Sequence, residues 1–554
     1  MKNRKIKSLG ILTVVFALVT MAFTKTDVGG KYFEISKNIE IFTSLYKELN
    51  TNYVNELDPS KLMRTGIEAM VTSLDPYTNY ISESDIEGYR LVTEGKYNGV
   101  GATFDKNDNE IIITEISDNS PAQKAGLSAG DIIQFVNNKP VKGKSVEEVG
   151  DLLHGTNGSV VEISVMRLQK DGSMKPQKIK ITRGEITEQN VPYSGIVANH
   201  IGYIVLTTFT REAGEHVRKA FLDLKKKDPE LQGVIFDLRN NGGGLLNEAV
   251  NICNVWIGKD NLVVNTKGKV ADWNHAFRTT NPSDDEQIPI AVLVNKGSAS
   301  ASEIVSGTLQ DYDRAVIIGQ RSFGKGLVQN IYEIGYNAKV KITTSKYYIP
   351  SGRCIQAVRY ENGKPVELPD SLSANFKTQN GRIVPDGGGI KPDIAINDPT
   401  NYGLLKELKE KFIIFNYVTE YVIKHDTAKS IDNFRFTDFD DFIAYTQKKK
   451  FTYTNELETL IGKLKTEADK QKSDIASASE IAALEAKLKA EKANAFVKYK
   501  PAIISQIEKE IIARWFYESG SAQINLRNDD EIKAALAVLS DKARYNNILK
   551  KSDK

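Results

Sequence analysis

A run of apolar residues, a turn of small residues and the start of a helix constrain this chain more than any other feature. Ile288-Pro289-Ile290-Ala291-Val292-Leu293-Val294 carries no charge and reads as a buried strand. It leads into Ser298-Ala299-Ser300-Ala301-Ser302-Glu303 and on through Ile304-Val305-Ser306-Gly307-Thr308-Leu309, which reads as a helix. A serine at such a junction is exposed and faces a helix N-terminus, where N–H groups and the helix dipole stabilise negative charge beside the hydroxyl. The plainer reading is a serine that caps the helix.

A serine nucleophile needs a positioned base. The chain has five histidines, His154, His200, His216, His275 and His425, and none sits in a segment with matching turn chemistry. Lys325 is better placed, in Phe323-Gly324-Lys325-Gly326 after the apolar run Ala315-Val316-Ile317-Ile318-Gly319, which is expected to lie beside the strand before Ser300. A lysine acts as a base only when neutral, a state that burial against apolar walls promotes. The alternative is a solvated loop lysine. A third segment, Gly233-Val234-Ile235-Phe236-Asp237-Leu238-Arg239-Asn240-Asn241-Gly242-Gly243-Gly244, reads as a strand ending in a glycine turn. Its N–H groups can approach a ligand closely, as half of an oxyanion hole or as a plain tight connection. It has neither the spacing nor the lysine of a phosphate-binding loop.

Together these three segments resemble the C-terminal processing peptidases, or tail-specific proteases: serine/lysine enzymes with an embedded PDZ domain. Ser300 and Lys325 stand 25 residues apart, as in that family. The resemblance implies Ser300 as nucleophile and Lys325 as general base. It makes Gln329 the residue that orients the lysine, and Ser298 and Ser302 supporting residues. The oxyanion donors it implies are the N–H groups of Ala301 and of the glycine turn, Gly244 ahead of Gly243. Leu74-Asp75-Pro76-Tyr77-Thr78-Asn79-Tyr80 matches a family signature, with Tyr77 in place of its histidine. Gly352-Arg353-Cys354-Ile355-Gln356 and Gly388-Gly389-Ile390-Lys391-Pro392-Asp393-Ile394 match the end of the family core, separated here by an insertion over about 357–387 that reads as a surface addition.

Between residues 93 and 186, Tyr97-Asn98-Gly99-Val100-Gly101-Ala102, Pro121-Ala122-Gln123-Lys124-Ala125-Gly126-Leu127 and Gly130-Asp131-Ile132-Ile133 resemble a PDZ domain. In that reading the loop of Gly99, Val100, Gly101 and Ala102 presents N–H groups to a peptide carboxylate. The following strand takes the peptide as an added strand, and Leu152 or Leu153 closes the groove.

The expected fold is therefore multidomain, an α/β protease core over 187–398 with a β-rich PDZ domain over 93–186. A helical N-terminal region covers 26–92 and a separate helical C-terminal domain 399–554. The chain is too long for one core at 554 residues, and its net charge of +3 gives no argument for nucleic acid. No metal or cofactor is expected. Two cysteines, Cys253 and Cys354, are expected as free buried thiols. Residues 1–25 hold Lys2, Arg4, Lys5 and Lys7 before an uncharged run from Ser8 to Thr24, a signal peptide or, favoured slightly, an uncleaved membrane anchor. Either places the protease outside the cytoplasmic membrane, in the periplasm if the resemblance holds. Expected partners are protein or peptide substrates with free, apolar C-termini, and an adaptor or a homo-oligomer stays open. Ala476-Ser477-Ala478-Ser479-Glu480-Ile481 repeats the serine string without a preceding strand and reads as exposed helix. Two other readings remain: an inactive PDZ scaffold, and a Ser-His-Asp hydrolase using His275.

Overall fold

The computed structural model describes residues 27–367, 374–396, 403–471, 478–527 and 529–550. The N-terminal run from Ser8 to Thr24, and Ala476 and Ser477 of the repeated serine string, lie outside them. The chain divides into two compact units, residues 1–80 and 81–554. In the first, helix α1 (Asp27–Asn52) is followed by α2 (Pro59–Thr72). Asp58 starts α2 by accepting the Lys61 N–H at 3.1 Å, with Pro59 at the first position, where its missing N–H costs nothing. The Tyr46 hydroxyl donates to Pro59 O at 2.7 Å. The turn of the 74–80 signature is organised by Asp75, whose Oδ1 accepts the N–H of Tyr77 and of Thr78, both at 2.8 Å.

The second unit opens with the β-rich domain. Strands β1 (Lys96–Gly99), β2 (Ala102–Asn107), β3 (Glu110–Ile116) and β4 (Ile132–Val136) are followed by helix α3 (Val146–Leu153) and strands β5 (Val160–Leu168), β6 (Met174–Thr182) and β7 (Gly184–Thr187). An antiparallel sheet runs β2-β3-β4-β5-β6, and β1 pairs with β7 where the chain enters and leaves. Ile113, Ile133, Val149, Val161 and Ile163 form its core.

The next domain is a six-stranded sheet, built from β8 (Tyr193–Ala198), β9 (Ile201–Val205), β10 (Gly233–Asp237), β11 (Ile290–Val294), β12 (Ala315–Gly319) and β13 (Ile394–Ala395) in that order. All neighbours are parallel except β8 with β9. β11 runs beside β12, with Ile290 opposite Ala315 and Val294 opposite Gly319. Every residue of β10, β11 and β12 is buried, which is why β11 and β12, and β10 up to Asp237, read as apolar runs rather than alternating ones. One face is covered by α4 (Ala213–Lys227), α5 (Leu246–Trp256) and α6 (Ala301–Asp311) around Phe221, Phe236 and Trp256. A long hairpin, β14 (Leu327–Gly335) and β15 (Ala338–Tyr348), follows the Lys325 turn.

The C-terminal region divides where the sequence reading placed one separate domain. Helices α7 (Gly403–Glu410), α8 (Ile413–Lys424), α9 (Phe439–Lys448) and α10 (Lys500–Ile524) share a core of Leu405, Tyr417, Val418, Phe442, Ile507 and Ile511. The last two, α11 (Asp530–Leu539) and α12 (Lys542–Leu549), instead cover the second face of the six-stranded sheet: Ile532, Ala535, Val538, Leu539 and Tyr545 pack with Ile201, Ile235, Leu293 and Ile318. An amphipathic pattern states that a helix has an apolar face, not what that face meets. The bundle in turn seats the PDZ-like domain. Arg514 donates to Ala129 O at 3.1 Å and to Thr419 Oγ1 at 3.3 Å, and its guanidinium lies 4.2 Å from the Phe415 ring centroid. Gly130, at φ +97°, passes so close that a Cβ would stand 2.5 Å from Thr419 Cγ2.

The insertion is not wholly a surface addition. Arg382, between strands of its second hairpin, meets Asp313 and Asp393, each at 2.6 Å, and is only 11% exposed. Among the described residues no helix is long and apolar enough to cross a membrane.

Candidate active site

Ser300 stands at the turn between β11 and α6 with φ 56° and ψ −113°. A non-glycine residue there is strained, by about 1–3 kcal/mol, and such strain persists only where the surroundings over-determine the backbone. They do so here through Glu303. Its fully buried carboxylate accepts the N–H of Ser300 at 2.8 Å, of Gly324 at 2.7 Å and of Lys325 at 2.9 Å, and the Ser322 hydroxyl at 2.5 Å. One side chain thus joins the serine turn to the lysine turn. Burial pushes the Glu303 carboxyl up to about 7, against the pull of its four donors.

Tyr347, buried in β15, closes the other side. Its hydroxyl lies 3.1 Å from Ser300 O and 2.5 Å from Lys325 O. The Phe323 N–H donates to Ser298 O at 3.0 Å and the Gly326 N–H to Gln356 Oε1 at 2.6 Å. Lys325 itself is half-buried.

The glycine turn after β10 packs on the serine. A Cβ on Gly243 would lie 2.7 Å from Ala299 O, 2.8 Å from Ser300 Cβ and 2.9 Å from Ala301 N, and its φ is +98°. Asn241, completely buried, shapes this turn: its Oδ1 accepts the Gly243 N–H at 2.9 Å and its Nδ2 donates to Leu206 O at 2.8 Å. Its carbonyl accepts Ala299 N–H at 3.0 Å and Ser302 Oγ at 2.8 Å. Ser298 Oγ donates to Leu238 O at 2.8 Å, so both flanking serines spend their hydroxyls on main-chain carbonyls. Of the three candidate oxyanion donors, the Gly243 N–H is committed to Asn241. Within the described residues no hydrogen bond occupies that of Ala301 or of Gly244. For Ala301 this follows from its place at the first turn of a helix.

Gln329 lies in β14, four residues after Lys325, and its amide Nε2 donates across the hairpin to Thr343 Oγ1 at 3.2 Å. His275 is exposed, its N–H on Thr266 Oγ1 at 3.0 Å. Cys253 is buried and Cys354 half-buried, both free, and burial raises both thiols. Among the described residues no cluster of three or more His, Cys, Asp or Glu could hold a metal.

In the β-rich domain, Gly101 has φ +76° and no space for a side chain, since a Cβ would meet Ser120 Cβ at 2.4 Å. The loop is fixed from below, Val100 O accepting Ala122 N–H at 2.8 Å and Gly101 O accepting Ser117 N–H at 3.1 Å. Gly99 and Ala102 border it, and β2 is an edge strand, paired only with β3. Leu152 on α3, and Ala102 and Phe104 on β2, are partly buried against the same core. His154, just after α3, stands edge-on to Tyr97 with centroids 5.5 Å apart, and burial lowers its pKa.

The sequence reading missed Glu303, Tyr347, Asn241 and Ser322 as site residues. Glu303 had a signal, the capping-box spacing of an acidic residue three after an N-cap serine. The others act across loops and strands and leave no local mark.

A doubly covered parallel sheet carrying a strained serine turn, joined to a small β domain with an open edge strand, defines a two-part enzyme of PDZ and catalytic core. Residues 200–362 match "Peptidase family S41", residues 112–167 "PDZ domain", and residues 404–539 "Probable PDZ-protease, C-terminal helical domain". The carboxy-terminal-processing protease of Bartonella bacilliformis is 36% identical over 360 residues, which are 65% of this chain and 81% of that protein. A probable CtpA-like serine protease of Staphylococcus aureus is 32% identical over 387 residues, 69% of this chain and 76% of that protein. Among solved structures, the photosystem II D1 C-terminal processing protease is 28% identical at a TM-score of 0.35, covering 58% of this chain and 84% of that one. The chain belongs to the carboxy-terminal-processing proteases of peptidase family S41, with a PDZ domain and a helical C-terminal region.

Proposed function

We propose that this protease is a serine endopeptidase that recognises the free C-terminus of a protein and cuts near it with a Ser300–Lys325 dyad. Neutral Lys325 takes the Ser300 proton as Oγ attacks the scissile carbonyl, then gives it to the leaving amine; water releases the acyl group. The N–H groups of Ala301 and Gly244 hold the developing oxyanion, and Gly243 serves by its closeness rather than as a donor. Gln329, four residues on from Lys325 in β14, orients the lysine. The loop of Gly99, Val100, Gly101 and Ala102 takes the substrate carboxylate, the open edge of β2 takes its backbone, and Leu152 meets its apolar last residues. The enzyme works outside the cytoplasmic membrane, in the periplasm, a reading supported by Lys2, Arg4, Lys5 and Lys7 ahead of an uncharged run.

The single observation that carries this reading is the shared clamp on the main chain of Ser300 and Lys325, since two unrelated surface turns have no reason to be bonded through one buried carboxylate. The test is cleavage of an unfolded protein with an apolar C-terminus by the full-length enzyme, beside Ser300→Ala, Lys325→Ala and an amidated substrate. Loss of cleavage in both variants and slower cleavage after amidation are expected. Cleavage that survives either substitution refutes the dyad, and indifference to amidation refutes tail capture.

A further inference from the structure

Ser300 and Lys325 are each held at both of their main-chain polar groups by the same two side chains. Glu303 accepts both N–H groups, at 2.8 and 2.9 Å, and the Tyr347 hydroxyl lies between both carbonyls, at 3.1 and 2.5 Å. Resting on the Ser/Lys reading, we infer that Tyr347 is a positioning residue for catalysis, its hydroxyl fixing the peptide plane that aims the Ala301 N–H at the oxyanion together with the residue that supplies the base.

The argument turns on which peptide is held. Ser300 C=O and Ala301 N–H belong to one planar unit, so a group that fixes the oxygen also fixes the direction of the hydrogen on the opposite side. Donation to that oxygen further polarises the amide and strengthens its N–H as a donor. The oxygen also accepts the N–H of Glu303 and of Ile304, each at 2.9 Å, but those bonds turn with the helix and do not tie it to the lysine. Among the described residues it is the tyrosine that ties this oxygen to the lysine turn. Its one proton serves two acceptors as a three-centre bond, the shorter arm on Lys325 O. On that second peptide the Gly326 N–H is taken by Gln356 at 2.6 Å, so the Lys325–Gly326 plane is held at both ends too. The ring has little freedom: it is 1% exposed, sits in the main core, and its own N–H donates to Gly326 O at 3.0 Å.

Tyr347→Phe removes the hydroxyl and keeps the packing. In the full-length enzyme kcat is expected to fall about 10–100-fold, up to the scale of a small misplacement and below the about 100–1000-fold of a lost oxyanion donor, with KM changed less than about twofold. Affinity for a peptide boronic acid, which engages both the serine and the oxyanion site, is expected to fall by the same factor as kcat, while binding of a free-tail peptide to the PDZ domain stays constant. A 4-aminophenylalanine at 347 restores a donor and is expected to recover most of kcat. A kcat within twofold of wild type in Tyr347→Phe overturns the inference, as does an equal loss in peptide binding and boronate affinity, which marks general loosening. If Tyr347→Phe does not fold, 4-fluorophenylalanine at 347 is read instead: it fills the space of the hydroxyl and cannot donate, so the same fall in kcat is expected, and a kcat within twofold of wild type overturns the inference. Ser300→Ala and Lys325→Ala are run alongside: activity surviving in either sinks the dyad itself, a result separate from any outcome at 347.

Discussion

Gly243 leaves no space for a methyl group, because the atoms it would strike are those of the serine turn. Gly243→Ala combines that clash with an unfavourable positive φ, so it is expected to cost about 1–3 kcal/mol in strain and to lower kcat by about 100-fold or more as Ser300 is displaced. Thermal melting together with single-turnover cleavage checks both numbers, and wild-type kcat would show the contact to be slack. Glu303→Gln keeps the shape but turns an NH2 towards N–H donors that need an acceptor. A fall in kcat of about 100-fold is expected, again because the dyad is misplaced. The same residue gives a pH prediction. Its folded pKa, about 7, lies above the unfolded value near 4.5, so the folded state holds the extra proton between them. The stability this contributes is complete below about pH 4.5 and is lost as pH rises through about 7. Urea unfolding from pH 4 to 8 should show wild type losing stability relative to Glu303→Gln across that interval, and a constant difference would contradict it.

At the scale of elements, the frame of the site was legible because it is local. An uncharged run of strand length, a small-residue turn and a helix start specify β11 and α6 without reference to anything distant, and the same holds for β10 and its glycine turn. What was not legible is what joins them. Tyr347 reaches Ser300 across 47 positions and Arg239 reaches Asp529 across 290, and no periodicity encodes either. Gln329 was placed by resemblance to a family pattern, which gives its position but not that its amide would rest on Thr343. The β2 edge and the 99–102 loop form another legible element. Gly101→Ala places a methyl 2.4 Å from Ser120 Cβ at φ +76° and should distort the loop. A loss of about tenfold or more in the affinity for a labelled free-tail peptide is expected, about the 1.4 kcal/mol of one good contact, read by fluorescence anisotropy. Unchanged affinity would remove this loop from tail recognition.

For the whole molecule, the decisive connection runs between the first strands of the sheet and the last helices of the chain. Arg239, beside the glycine turn, pairs with Asp237 at 2.6 Å, with Asp529 at 2.6 Å and with Glu531, so the C-terminal segment grips the residue next to that turn. A chain stopped after Arg527 keeps Ser300, Lys325 and the PDZ domain yet uncovers Ile201, Ile235, Leu293 and Ile318 on one sheet face. It is expected to be aggregated and inactive, by sedimentation and by the cleavage assay; a soluble active product would show those helices to be dispensable. The long reach has a consequence in time. During synthesis the ribosome delivers the serine and lysine turns well before the last helices, and α11 and α12 must emerge before the sheet has two covered faces. The residues made last thus finish a sheet whose strands were made much earlier, and its core closes only once α11 and α12 are out.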